Sequence, residues 1–85
     1  MSLRIAREVA WQTIGGEAIL VDLGGGRTLG LNAAGSLVWS LLADHDEEAL
    51  AAAVAERFNT GLEAARDDVR EFLRLLRERG LVVET

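Results

Sequence analysis

The sequence predicts an α+β fold in a single domain, residues 1–85: a three-stranded antiparallel sheet followed by three helices. Three observations carry that prediction. The first third of the chain alternates in hydropathy with period two and includes β-branched residues, the pattern of half-buried strands. From Ala33 onward the apolar residues recur every three or four positions, the helical period. Glycines, in a chain with no proline, divide both halves into short runs. Eighty-five residues bury about 60–65% of their unfolded surface, so one small core is expected.

The elements follow in order. Ile5, Val9 and Trp11 share one parity and Arg4, Glu8 and Gln12 the other, which reads as a first strand. Gly15–Gly16 suits a two-residue hairpin turn with positive φ. In the second strand Ile19, Val21 and Leu23 alternate with Ala18, Leu20 and Asp22. Gly24–Gly26 is a looser turn into a third strand, Arg27–Leu31, with Leu29 and Leu31 on one face and an expected place at the sheet edge.

Asn32 has the side-chain oxygen to cap a first helix from Ala33 to about Ala43. Ala34, Leu37, Val38, Leu41 and Leu42 form its apolar face. Gly35 and Trp39 lie four apart on one side. Close approach of another backbone would explain the glycine, and Trp39 is expected to be buried. Asp46 is the next N-cap, with Glu47 and Glu48 well placed against the helix dipole and Leu50, Val54 and Phe58 at spacing four. Asn59–Thr60–Gly61 ends that helix. Thr60 and Glu63 have capping-box spacing for a third helix running to about Arg79, with Gly80 at C′ and a short strand at Leu81–Val83.

Composition narrows the function. There is no cysteine, one histidine (His45) and no tyrosine, so no disulfide, thiolate nucleophile or clustered metal site is expected. No cofactor and no intrinsic turnover are expected, because no nucleophile, base and electrophile converge. No apolar run approaches the ~18–20 residues of a membrane span. Met1–Arg4 leads into a charged segment rather than a signal peptide, so a cytoplasmic location is expected. Nine arginines, no lysine and fourteen acids give a net charge of −5, which disfavours nucleic acid and anionic membrane as partners.

The remaining motifs have plain explanations. Gly24–Gly26 lacks the Gly-Lys-Ser/Thr ending of a phosphate loop, and Leu29 stands where a dinucleotide fingerprint needs glycine. Asp44, Asp46, Glu47 and Glu48 lack the alternation and central glycine of a calcium loop, so capping and solvation account for them. Asp67 and Asp68 point ~100° apart on a helix and cannot converge.

The third helix is the most informative element. Leu62, Ala65, Val69, Leu73 and Leu76 fall within ~40° of one direction and form the core stripe. Asp68, Phe72, Leu75 and Arg79 lie on one flank of it, Arg66, Arg70 and Arg77 on the other. The arginine flank reads as a solvated face whose partners are Glu63 and Asp67 at i+3 and i+4. Two helices joined at Asn59–Gly61 beside a small sheet resemble a winged helix-turn-helix. A winged-helix DNA-binding regulator of transcription is therefore the alternative function. Against it, residues 62–80 hold five arginines and five acids, and the helix opens Leu-Glu-Ala-Ala-Arg-Asp-Asp, with no amide and no concentration of positive charge where base edges would be read. A small structural or dimerisation subunit, using Ala49, Ala51, Ala52, Ala53 and Ala55, is a third possibility.

Several of these residues together resemble the PqqD-like family: Ile19-Leu-Val-Asp22, a glycine turn, Leu29-Gly-Leu-Asn-Ala-Ala-Gly35, Val38-Trp-Ser-Leu-Leu42, and Asp68-Val69, Phe72-Leu73, Leu76 and Gly80-Leu81. The resemblance spans Val9 to Val83. It implies a winged helix-turn-helix-like fold and a recognition element, or peptide chaperone, for ribosomally made precursor peptides. Such proteins bind the leader of the precursor by strand addition and present it to an enzyme. That enzyme is a radical-SAM enzyme in pyrroloquinoline-quinone (PQQ) biosynthesis and a leader peptidase in lasso-peptide biosynthesis. The implied peptide-binding residues are Arg27, Thr28, Leu29, Gly30 and Leu31 on the third strand and Asp68, Phe72, Leu75 and Arg79 on the third helix. Leu29 departs from the aromatic that members often carry there, and Asp46 from a common Ser or Thr. The expected assembly is a monomer or weak homodimer.

Overall fold

The computed structural model describes residues 3–84. Five strands and three helices run in the order β1 (Leu3–Ile5), β2 (Val9–Ile14), β3 (Glu17–Asp22), β4 (Arg27–Gly30), α1 (Ala33–Leu41), α2 (Glu47–Phe58), α3 (Leu62–Glu78) and β5 (Val82–Glu84). Strands β2, β3 and β4 form the expected antiparallel meander in that spatial order, which leaves β4 on an edge. Gly15 and Gly16 both take positive φ, 61° and 82°, as the two-residue turn between β2 and β3 requires.

The first strand is not continuous. Val9 N–H turns back to the Ala6 carbonyl, and Leu3–Ile5 leaves to pair antiparallel with β5 at the far end of the chain. The period-two parity from Ile5 to Trp11 therefore joins two strands of different sheets. The partner of the first lies almost eighty residues away, beyond the reach of a local pattern.

One face of the meander covers the core. Ala18 and Leu20 are buried, whereas Ile19 is 37% exposed, so the strand's β-branched face looks outward. Leu20, Leu42, Leu50, Val69, Leu73 and Leu76 are the largest fully buried side chains and join β3 to all three helices. Trp39 is buried as expected, and its ring meets that of Trp11 edge-on at 5.7 Å.

The predicted caps of α1 and α2 form: Asn32 accepts from Gly35 N–H and Asp46 from Ala49 N–H, both at 2.8 Å. The Thr60–Glu63 capping box does not. Gly61 is the N-cap of α3 and gives no side-chain bond. Asn59, in the left-handed region, and Thr60 both send their N–H groups back to the Ala55 carbonyl, so Thr60 completes α2 instead of opening α3. In the core stripe of α3, Ala65, Val69, Leu73 and Leu76 are buried; Leu62, in the first turn, is exposed.

Candidate functional site

The site begins at the free edge of β4. Leu31 N–H donates to the Ala18 carbonyl at 2.8 Å, which fixes the phase of the antiparallel ladder. Bonded pairs alternate along such a ladder, so Leu31, Leu29 and Arg27 spend their backbone groups on β3, opposite Ala18, Leu20 and Asp22. Thr28 and Gly30 direct theirs to the open edge.

The ladder stops at α1 for a chemical reason. Ala18 N–H does not reach the Leu31 carbonyl but donates to Ser36 Oγ at 2.7 Å, and Ser36 Oγ donates in turn to Leu31 at 3.4 Å. The hydroxyl stands inside the last bonded pair and ties the start of α1 to the sheet. The end of β4, the turn at Asn32 and the first turn of α1 are thereby held together beside α3.

Two hollows reach α3 or its C-cap, one beside the start of α1 and one beside this strand. A cleft of about 300 Å³ is lined by Asn32, Ala34, Gly35 and Val38 from the start of α1, Val54 from α2, and Asp68, Val69 and Phe72 from α3. A smaller one of about 30 Å³ is lined by Arg27, Thr28 and Leu29 of β4 with Leu20, Asp22, Arg79 and Leu81. Together they bring six of the nine residues named from the sequence to two places: Arg27, Thr28, Leu29 and Arg79 at one, Asp68 and Phe72 at the other; Gly30, on the edge strand, lines neither. Leu75 is half-buried on the same flank of α3, lines neither hollow and stays outside the core cluster. Leu31 is only 7% exposed, so its side chain belongs to the core and its N–H to β3.

The contribution of α1 was not legible as a site. Its one signal was the glycine at position 35. What comes close to Gly35 is not another backbone but side chain: the capping oxygen of Asn32 and the Phe72 ring.

The opposite flank of α3 is engaged differently from the sequence expectation. Arg66 pairs with Glu48 at 2.6 Å and Arg70 with Glu47 at 4.0 Å, both at the start of α2, and Arg77 pairs with Glu84 of β5 at 2.9 Å. Arg74 pairs with Glu71 and Glu78 within the helix. Glu63 and Asp67 are not the partners, because tertiary packing brings the acidic first turn of α2 alongside. The Arg74 guanidinium, by hydrogen bond and charge, holds the exposed Glu71 carboxyl below the usual carboxylate range. With these arginines neutralised and Glu63 the charged residue of the first turn, α3 offers no basic reading surface, and the DNA-binding alternative gains no support. Among the described residues no three His, Cys, Asp or Glu side chains gather for a metal ion, and no helix is long and apolar enough to cross a membrane.

The family model for coenzyme PQQ synthesis protein D (PqqD) matches residues 17–82, from the start of β3 to the start of β5. The chain belongs to the PqqD family. Two solved structures share the fold of this PqqD-family chain. One is described as TbiB1 in complex with the TbiA(beta) leader peptide; it is 30% identical, with a TM-score of 0.87 over 100% of this chain and 98% of that one. The other is a lasso peptide synthetase B1 complexed with the leader peptide, 20% identical, with a TM-score of 0.89 over 99% of this chain and 100% of that one. No curated protein matches the chain.

Proposed function

We propose that this PqqD-family protein is a non-catalytic peptide-recognition module. It binds the leader segment of a ribosomally synthesised precursor peptide by strand addition to β4 and presents it, in the cytoplasm, to an enzyme that modifies or cleaves that peptide. The observation that carries the reading is the open edge of β4 at Thr28 and Gly30, with one hollow beside the strand and a second beside the turn at Asn32 that follows it, both reaching α3 or its C-cap. Backbone pairing supplies affinity without selecting sequence; the hollows supply selection, because every second leader side chain would point toward them. Burying one leader Leu or Phe against Phe72 and Leu75 would contribute about 1.5–3 kcal/mol. The two solved relatives, each described with a leader peptide, support the same ligand class.

A presenting module also needs a surface for the enzyme. The outer face of the meander fits that role: Ile14 is 59% and Ile19 37% exposed, around a shallow depression shared with Ala10, Gln12 and Val21, and Leu23, just past the end of β3, is 67% exposed. A strand added to β4 would extend this face, so the enzyme would meet sheet and bound leader together. Exposed apolar patches rimmed by polar residues mark such interaction sites.

Calorimetry against leader peptides encoded near the gene tests the reading. Leu75→Asp should weaken binding at least ~10-fold, about 1.4 kcal/mol, with the fold intact. Arg70→Glu should leave affinity near wild type at physiological salt, because that arginine lies on the other flank of α3. The reverse pattern would place the peptide on the arginine flank.

A further inference from the structure

The two hollows carry opposite charge. The large one has Asp68 at its wall and no basic residue. The small one has two arginines, Arg27 and Arg79, and one carboxylate, Asp22. Asp22 lies directly across the β3–β4 ladder from Arg27 yet forms no ion pair with it. Its Oδ1 instead accepts from Gly24 N–H at 3.1 Å and Gly25 N–H at 3.2 Å, holding the turn.

Arg79 stands out in the same way. Arg66, Arg70, Arg74 and Arg77 of α3 each have a carboxylate partner, whereas Arg79 has none among the described residues. Its position at the C-cap of α3 suits a cation. No helix end accounts for Arg27, which the sheet register places at the same hollow. Leu20, Leu29 and Leu81 line the hollow beside them and reduce the water available to screen an incoming charge.

From these features we propose that the groove selects a leader with an acidic side chain, Asp or Glu, seated between Arg27 and Arg79, and apolar side chains at the Asp68–Phe72 end. The proposal rests on the strand-addition reading above. The spacing follows from the two elements. Arg27 to Leu31 spans about 13 Å of strand, and Phe72 to Arg79 about 10 Å of helix. Side chains on one face of a strand recur every second residue, so the acid falls about four residues from the apolar anchor. The charge difference between the ends also fixes orientation: a leader laid in backwards would set its acid against Asp68 and its apolar residue against two arginines. Strand pairing tolerates either direction, so this polarity supplies a discrimination that the backbone does not.

Selection of a displayed library of random 14-residue peptides on the purified protein tests this. Wild type should enrich peptides with apolar residues at alternate positions and Asp or Glu about four residues from one of them. Arg27→Glu/Arg79→Glu should retain the apolar positions and replace the acid by Lys or Arg. Arg27→Gln/Arg79→Gln, which adds no repulsion, should leave that position random. A wild-type consensus peptide with its acid changed to Lys should bind wild type ~10-fold more weakly and regain affinity for the double-glutamate variant. Apolar positions enriched without the acid, or an acid retained by the double-glutamate variant, would overturn the charge selection while leaving strand addition standing. Failure of wild type to enrich any peptide would overturn both.

Discussion

Phe72 of α3 lies with its ring against Gly35 of α1: a Cβ placed on Gly35 would come within 3.3 Å of Phe72 Cζ and 3.4 Å of Cε1. The contact explains a glycine inside a helix, where it costs ~1 kcal/mol relative to alanine. It also links two walls of the larger hollow.

Gly35→Ala should therefore separate stability from binding. The alanine gains helix propensity but presses on the Asn32 capping oxygen and displaces the half-buried Phe72 ring by a few tenths of an ångström, so the net change in unfolding free energy should stay within about 1 kcal/mol. Leader affinity should fall several-fold, because the ring that moves is a wall of the groove. Denaturant melts beside calorimetry read both; unchanged affinity would remove Phe72 from the site.

Ser36→Ala should be costly for its size. Ser36 is 7% exposed, and removing its hydroxyl leaves the Ala18 N–H with no acceptor at the end of the β3–β4 ladder. An orphaned buried donor costs about 1–3 kcal/mol. Chemical denaturation should show that loss, and hydrogen exchange should show Ala18 becoming faster than Leu20.

Proline substitutions test the phase of the edge strand. Thr28→Pro removes an N–H that faces the open edge, so it should leave the melting temperature nearly unchanged and cut leader binding at least ~10-fold. Leu29→Pro removes an N–H bonded to β3 and should destabilise the sheet itself. If Thr28→Pro unfolds the domain and Leu29→Pro does not, the ladder runs in the other phase.

The outer face can be separated from the groove. Ile14→Asp and Ile19→Asp replace exposed residues, so the fold and leader affinity should hold. Processing of the precursor by its enzyme, reconstituted with the variant, should drop. Normal processing would place the enzyme's docking site elsewhere.

Local chemistry was enough for much of this molecule. The hairpin at Gly15–Gly16, the caps at Asn32 and Asp46, the stop at Gly80 and most of the buried stripe of α3 depend on neighbours within a few positions, so spacing and residue type determined them. The flank of α3 carrying Asp68, Phe72 and Arg79 was legible for the same reason: a helical wheel follows from periodicity alone. Tertiary structure decided the rest. It paired Leu3–Ile5 with Val82–Glu84 across the whole chain, turned Ala18 and Leu20 rather than Ile19 inward, and gave Arg66 and Arg70 their partners in α2. It also placed the start of α1 opposite Phe72 and left Arg27 and Arg79 together at one hollow. The physical reason is common to all of these. Alternation shows that a strand has two faces but not which one meets the core, and an arginine's charge does not name its partner. Both are set by which distant surfaces the packed helices bring within reach.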